Sequence, residues 1–75
     1  MEELVEYIAK ALVDRPDEVR VTRIEGAQAV VLELRVVPAD MGRVIGREGR
    51  IVNAIRVLLR TAAARAGKRV TLEVI

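Results

Sequence analysis

Two glycines separated by two residues stand near the middle of this 75-residue chain, in the run Gly-Arg-Glu-Gly at residues 46–49. Glycine lets a backbone turn tightly and come close to a ligand, because it has no side chain in the way. Arg43, Arg47 and Arg50 surround the run, and a guanidinium binds phosphate and carboxylate oxygens through paired N–H groups. The pattern indicates contact with an anionic group. The alternative is a tight turn between two helices that carries arginine only by chance.

Two established phosphate-binding loops do not fit this run. A P-loop requires lysine and then serine or threonine after its last glycine, whereas Gly49 is followed by Arg50 and Ile51. The dinucleotide fingerprint requires the spacing GxGxxG, whereas Gly42, Gly46 and Gly49 give GxxxGxxG. The sequence therefore supports neither nucleotide site.

The composition argues against most catalytic and metal chemistry. The chain has no cysteine, no histidine and no serine, so it lacks thiolate ligands, the commonest general base and a serine nucleophile. We therefore expect neither an enzyme nor a resident metal or cofactor. Tyr7 is the only aromatic residue, which argues against a nucleic-acid binder that stacks bases on aromatic side chains.

Charge is distributed unevenly along the chain. The formal net charge is +2, but residues 1–40 sum to −4 and residues 41–75 to +6. This polarity predicts a cationic face that attracts anionic partners. The alternative is an ordinary solvated surface in which arginine simply outnumbers lysine.

Hydrophobic periodicity predicts six elements that position the glycine run. Apolar residues recur with helical spacing before Pro16, which ends the first helix, and they alternate with polar residues in later segments. Asp40 is the predicted N-cap of a short helix, and Gly67 is the predicted C-terminal cap of a longer one. The predicted elements are helix Glu2–Asp14, strand Glu18–Glu25, strand Ala29–Val37, helix Met41–Ile45, helix Arg50–Arg65 and strand Lys68–Ile75.

The order of these elements predicts an α+β fold with a three-stranded sheet. The short connection between the first two strands favours an antiparallel hairpin. The two helices that follow form a crossover, which joins parallel strands and places the helices on one face of the sheet. With no linker or repeat, residues 1–75 are predicted to form one domain. No apolar run approaches the roughly 20 residues of a membrane span, and the acidic N-terminus is unlike a secretory signal, so we expect a cytoplasmic location and no membrane contact.

In this context, residues 44–51, with the sequence VIGREGRI, resemble the VIGxxGxxI core of the KH domain. In that family the motif stands within the order strand, helix, GxxG loop, second helix and strand, and the elements predicted here have the same order. The helix and strand that precede it here resemble the type II arrangement, α-β-β-α-α-β. The resemblance covers the whole chain and is closest to small bacterial RNA-binding proteins that consist of a single KH domain.

The resemblance implies that the loop clamps the backbone of about four nucleotides of single-stranded RNA. It implies a non-catalytic function, as an RNA chaperone or a post-transcriptional regulator, with bases on an apolar floor and partly bonded to the last strand. Glu48 departs from the family pattern, because relatives often carry a basic residue there. It either weakens binding or points away and pairs with a neighbouring arginine. The RNA-binding residues implied are Arg43, Ile45, Gly46, Arg47, Glu48, Gly49, Arg50 and Ile51.

The long helix is also predicted to present a second apolar edge. A helical wheel predicts a buried stripe made of Ile51, Ala54, Ile55, Leu58 and Ala62. Val52, Leu59 and Ala63 flank this stripe, and they either pack more deeply on the sheet or form a dimer interface. Small proteins that resemble this one form homodimers and pair with a larger KH-containing protein. The competing hypothesis is a protein-interaction or scaffold domain in which the glycine loop is only structural.

Overall fold

The structure is a computed structural model that describes residues 1–75. Three helices and three strands follow one another in the predicted order, and three short 3₁₀ turns connect them at residues 16–18, 38–40 and 47–49. The predicted α+β class is confirmed. The elements are α1 (Glu2–Leu12), β1 (Arg20–Glu25), β2 (Ala29–Arg35), α2 (Met41–Ile45), α3 (Arg50–Arg65) and β3 (Arg69–Val74).

The three strands form one sheet with β2 at its centre. β1 pairs with β2 in antiparallel orientation, and β3 pairs with β2 in parallel orientation. In this register Leu32 of β2 lies between Arg23 of β1 and Leu72 of β3. The predicted hairpin and the predicted parallel crossover through both helices are therefore confirmed, and β3 has one open edge.

The hydrophobic core lies between the sheet and the helices. Alternate residues of β2 are buried, as the period of two along a strand requires. Each fully buried leucine contributes roughly 1.5–3 kcal/mol to folding, so these side chains are the main source of cohesion. The largest fully buried side chains are Leu32, Leu34, Leu59, Leu72, Val5, Val30 and Val44.

Element boundaries differ from the prediction where proline intervenes. α1 ends at Leu12, because Val13 already has extended backbone. The turn Pro16–Glu18 takes the residue predicted to begin the first strand, which starts at Arg20 instead. β2 ends at Arg35, two residues before the predicted end, and the next turn begins at Pro38. Proline fixes its own φ and lacks an N–H, so both residues favour turns over regular pairing.

Of the two helix caps predicted from the sequence, the structure confirms Gly67 and not Asp40. Gly67 has a φ of +70° and lets the N–H of Lys68 donate to the carbonyl of Ala63 at 3.0 Å, as a C-terminal cap does. Asp40, in contrast, makes no side-chain capping bond. Its side chain is almost fully buried, and its Oδ2 accepts the backbone N–H of Arg15 at 3.0 Å. Asp40 thus fastens the segment after α1 to the start of α2.

The predicted face of α3 is wrong by part of a turn. For Val52, Leu59 and Ala63 the sequence left two alternatives, deeper packing on the sheet or a dimer interface. These residues are only 6%, 1% and 1% exposed and belong to the core, so the first alternative is correct and the dimer interface is wrong. Leu58, predicted to be buried, is 52% exposed, and Ala54 and Ala62 of the same predicted stripe are exposed too. α3 carries apolar residues around much of its circumference, so its pattern does not define one inward face. Contact with β3 selects Ile55 and Leu59 as the centre of the buried face.

Candidate nucleic-acid interface

The GxxG loop (residues 46–49) joins α2 to α3 and depends on a backbone conformation that only glycine adopts at its first position. Gly46 has φ 77° and ψ 173°, a region that is essentially restricted to glycine. A Cβ atom at this position would lie 2.6 Å from Cγ1 and 2.9 Å from the backbone nitrogen of Ile51. The loop therefore folds back directly against the first turn of α3.

The rest of the loop contains two consecutive residues in left-handed backbone conformation. Glu48 has φ 57° and ψ 27°, and Gly49 has φ 75° and ψ 13°. The conformation costs glycine nothing, but it costs roughly 1–2 kcal/mol for a residue with a side chain. The Glu48 side chain is exposed and forms no ion pair with Arg47 or Arg50. The predicted alternative in which Glu48 is neutralised by a neighbouring arginine is therefore absent from the structure.

The loop leaves the start of α3 open. The N–H of Arg50 donates to the carbonyl of Arg47. Gly49, which precedes the helix, has no side chain, so no side-chain cap satisfies the following N–H groups of the first turn. These N–H groups and the positive end of the helix dipole favour an anion. Arg47 and Arg50 stand beside this opening, are exposed, and make no ion pair.

Arginines without an ion pair are concentrated in the second half of the chain. In the first half, Lys10, Arg15 and Arg23 each have a carboxylate partner, and two arginines, Arg20 and Arg35, have none. A guanidinium that is not already paired can bind an external anion without first giving up a carboxylate. The unpaired arginines of the second half are Arg47, Arg50, Arg56, Arg60, Arg65 and Arg69.

Arg43 differs from the other arginines near the loop. Its Nη2 lies 3.1 Å from Oδ2 of Asp14, and its Nε lies 3.8 Å from Oδ1 of Asp40. These contacts hold Arg43 towards the end of α1, so it is less free than Arg47 or Arg50 to bind an external anion. Asp14 is exposed, however, and an exposed ion pair of this kind is weak.

The two isoleucines predicted as an apolar floor lie on either side of the loop. Ile45 and Ile51 are half-buried and pack against the hydrophobic core. Ile51 also fills the space beside Gly46. Ile51 therefore supports the loop from beneath, and both side chains retain some exposed surface.

A groove continues from the loop along the open edge of the sheet. It has a volume of about 350 Å³, and we call it the α3–β3 groove. Asn53 connects it to the loop, because its Nδ2 lies 3.4 Å from the place where a Cβ of Gly49 would stand. The groove is lined by Asn53, Arg56, Val57, Leu59 and Arg60 of α3 and by Val70, Thr71 and Leu72 of β3.

Arg56 bridges the two sides of this groove. Its Nε and Nη2 donate to the carbonyl of Leu72 at 3.3 and 3.1 Å, and its Nη1 donates to Oδ1 of Asn53 at 3.3 Å. These bonds occupy an outward carbonyl of the edge strand. A guanidinium has five N–H groups, so Arg56 keeps one free N–H on each terminal nitrogen.

Sequence reasoning missed the polar side of this groove. Asn53, Arg56 and Arg60 are polar residues at helical spacing, but the predicted buried stripe leaves their side of α3 facing away from the sheet. Correcting the rotation of α3 moves them beside β3. The contribution of the Leu72 carbonyl has no local sequence signal, because the bond from Arg56 spans 16 residues.

Two charged side chains near the end of β1 shift each other's pKa. A hydrogen bond from Arg23 lowers the pKa of Glu25, and hydrogen bonds to Glu2 and then to Glu25 raise the pKa of Arg23. Lys68 adds to the effect on Glu25 at 3.6 Å. No group of three or more acidic, histidine or cysteine side chains is placed to hold a metal ion. No helix has the length and apolar character required to cross a membrane.

A strand, a helix, a GxxG loop, a second helix and a parallel strand together define a KH domain, and this chain has that arrangement. The family model described as "KhpA/KhpB, KH domain" matches residues 2–74. The chain belongs to this family.

Curated relatives match along their whole length or nearly so. RNA-binding protein KhpA of Caldanaerobacter subterraneus subsp. tengcongensis is 56% identical, and that of Clostridium acetobutylicum is 53% identical, with 100% of each chain covered in both cases. RNA-binding protein KhpA of Aquifex aeolicus is 52% identical over 100% of this chain and 95% of the relative. No solved structure matches the chain.

Proposed function

We propose that this protein binds single-stranded RNA without catalysing a reaction. In this proposal the GxxG loop clamps the sugar-phosphate backbone and the α3–β3 groove receives the bases. The protein would act in the cytoplasm, as an RNA chaperone or a post-transcriptional regulator. One observation carries the proposal. The start of α3 has no side-chain cap, and the groove whose arginines have no ion pair begins beside it at Asn53. The names of the curated relatives, which describe them as RNA-binding proteins, support it.

Phosphate binding at the loop follows from its open donors. The N–H groups at the start of α3 point towards any anion placed above the loop, and Arg47 and Arg50 add charge-assisted hydrogen bonds. Gly46 and Gly49 let a sugar-phosphate chain approach the backbone closely. The loop thereby supplies affinity that does not depend on base sequence, as phosphate contacts generally do.

Base contacts would come from the walls of the groove. Ile45 and Ile51 provide apolar surface near the loop, while Asn53 and Arg56 provide hydrogen-bonding groups further along. The groove contains no aromatic side chain, so bases lie against aliphatic surface and edge-strand backbone. This mode is compatible with a chain that has one tyrosine.

Glu48 opposes binding in this arrangement. Its carboxylate is exposed, unneutralised and adjacent to the residues that would meet phosphate. Like charges repel over several ångströms unless salt screens them. We therefore expect weak, salt-sensitive binding with little sequence preference.

The test compares charge reversal at the loop with the same reversal elsewhere. Arg47→Glu should lower affinity for a fluorescein-labelled single-stranded RNA by about tenfold or more in fluorescence polarisation, because one charge-assisted bond is lost and a repulsion is gained. Arg35→Glu is the matched control, because Arg35 is exposed on β2 and is the cross-strand neighbour of Arg20. Equal affinity for both variants and the wild type would instead favour a scaffold domain with a structural loop.

A second part of the proposal concerns self-association through a revised surface on α3. Ala54, Leu58 and Ala62 recur every four residues and are exposed, and helical geometry places this ridge on the edge of α3 away from the groove. The ridge is symmetric about Leu58. In two copies that pack in antiparallel orientation, Ala54 of each copy would therefore lie opposite Ala62 of the other. Such a homodimer leaves both grooves open and adds avidity for one RNA strand. A larger KH-containing protein would use the same ridge.

Light scattering with size-exclusion chromatography tests this surface. Leu58→Arg should reduce the mass of the particle towards that of a monomer, because a charged side chain replaces the centre of the ridge. Tyr7→Arg is the control, since Tyr7 is a 75% exposed apolar residue on α1. A wild-type protein that remains monomeric at high concentration would refute the homodimer.

A further inference from the structure

A second concave surface lies beyond the α3–β3 groove. It has a volume of about 620 Å³ and is lined by Gln28, Ala29, Gly67, Lys68 and Arg69; we call it the Lys68–Arg69 hollow. The turn that precedes β2 meets the turn that follows α3 here, and the N–H of Arg69 donates to the carbonyl of Gln28 at 3.2 Å. Two backbone segments therefore form its walls.

The hollow is continuous with the groove along both elements that border the groove. On β3 the groove is lined from Val70 onward, and the hollow begins at the preceding residue, Arg69. The side of α3 that carries Asn53 and Arg60 continues towards Gly67, which follows the helix and lines the hollow. Ala64 is the only exposed residue of that side between Arg60 and Gly67, and a methyl group leaves the path open. From Asn53 to its end at Arg65 the helix rises about 18 Å at about 1.5 Å per residue, and Gly67 follows two residues later.

The cations of the hollow are available to an external anion. Arg69 is exposed and has no ion pair. Lys68 has only Glu25, at 3.6 Å, and both side chains of this pair are more than a third exposed, so the pair is weak. Together with Arg47, Arg56 and Arg60, these residues place positive charge from the loop, past the groove, to the start of β3. There alternation with the buried Val70 directs the Arg69 side chain to the face of the sheet away from α3.

We infer that the Lys68–Arg69 hollow is a second phosphate-binding site for the same RNA strand. This inference rests on the proposed function, because the GxxG loop at the other end of the groove must hold the strand first. A polynucleotide carries a negative charge on every nucleotide, and a strand that leaves the groove along β3 reaches Arg69 next. The RNA footprint of this domain is therefore longer than the roughly four nucleotides that a KH loop clamps.

Binding of two RNA lengths to matched variants tests the second site. The probes are fluorescein-labelled single-stranded oligouridylates of about four and about ten nucleotides. Lys68→Gln with Arg69→Gln removes both charges of the hollow. Arg20→Gln with Arg35→Gln removes two exposed charges from the other end of the sheet, where β1 begins and β2 ends, and serves as the control. Circular dichroism verifies that both double variants fold.

The result expected is a length-dependent loss. The hollow variant should bind the longer RNA about five- to tenfold more weakly and lower its salt slope by about 1 to 2, while its affinity for the short RNA changes little. The control should bind both lengths like the wild type. An unchanged ratio of long to short affinity in the hollow variant would overturn the second site. Failure of the wild type to bind even the short RNA would overturn the proposed function, and the second site with it.

Discussion

The two glycines of the GxxG loop differ in the space around them, and this difference predicts unequal stability losses. Gly46→Ala would place a Cβ atom 2.6 Å from the side chain and 2.9 Å from the backbone nitrogen of Ile51. Gly49→Ala would meet nothing closer than 3.4 Å, an ordinary contact with the side-chain amide of Asn53. Alanine should therefore be far less tolerated at the first glycine than at the second.

The magnitude follows from backbone strain and overpacking. At Gly46 the φ and ψ of 77° and 173° cost a residue with a side chain roughly 1–3 kcal/mol, and forcing an atom into packed surroundings adds roughly 1–3 kcal/mol. The sum, about 4 kcal/mol, is a large part of the roughly 4–11 kcal/mol expected for a domain of this size. At Gly49 only the left-handed conformation is penalised, by about 1–2 kcal/mol.

Urea denaturation followed by far-ultraviolet circular dichroism measures both losses. Gly46→Ala should lose about 2–3 kcal/mol more stability than Gly49→Ala, with similar denaturant slopes for both. Equal losses would refute the geometry given for the loop. The same reasoning makes Gly46 unsuitable for testing RNA binding, since any side chain there perturbs the fold; Arg47 is the cleaner position.

Three further substitutions test other parts of the structure. Glu48→Lys removes the carboxylate beside the proposed phosphate contacts, so RNA affinity in fluorescence polarisation should rise about fivefold at low salt and less at high salt; an unchanged affinity would show that residue 48 faces away from RNA. Asp40→Ala leaves the N–H of Arg15 without its acceptor, so urea denaturation should show a loss of about 1–3 kcal/mol, and an unchanged midpoint would contradict this role. Because Arg23 lowers the pKa of Glu25, the stability that this carboxylate adds is present above the usual pKa of glutamate and is lost as the pH falls through the lowered value. Glu25→Gln should therefore flatten the acid side of a plot of Tm against pH, whereas a parallel shift of the whole curve would count against the linkage.

The order of elements could be predicted because its signals are local. Alternation marks the strands, Pro16 and Pro38 mark the turns, and Gly46 and Gly67 mark positions where the backbone needs positive φ. The crossover between β2 and β3 then follows from the two intervening helices. These signals depend only on neighbouring residues, so they survive without knowledge of the tertiary structure.

The rotation of α3 could not be predicted in the same way. Leu58 and Leu59 are adjacent and equally apolar, yet one is half-exposed and the other almost fully buried. Only contact with the sheet distinguishes them, and this contact also decides that Arg56 and Arg60 line the groove. Asp40 is a similar case, because a local rule predicts a cap whereas its partner, the N–H of Arg15, lies 25 residues earlier.

Backbone amide chemical shifts during an RNA titration test the central proposal most directly. With a single-stranded RNA of about eight nucleotides, we predict that the largest shifts fall on residues 46–53 and on residues 69–72 of the open edge strand. Amides on the exposed side of α1, such as that of Tyr7, should not move. Large shifts on α1 or on the outer face of the sheet, with an unperturbed GxxG loop, would contradict the proposed interface.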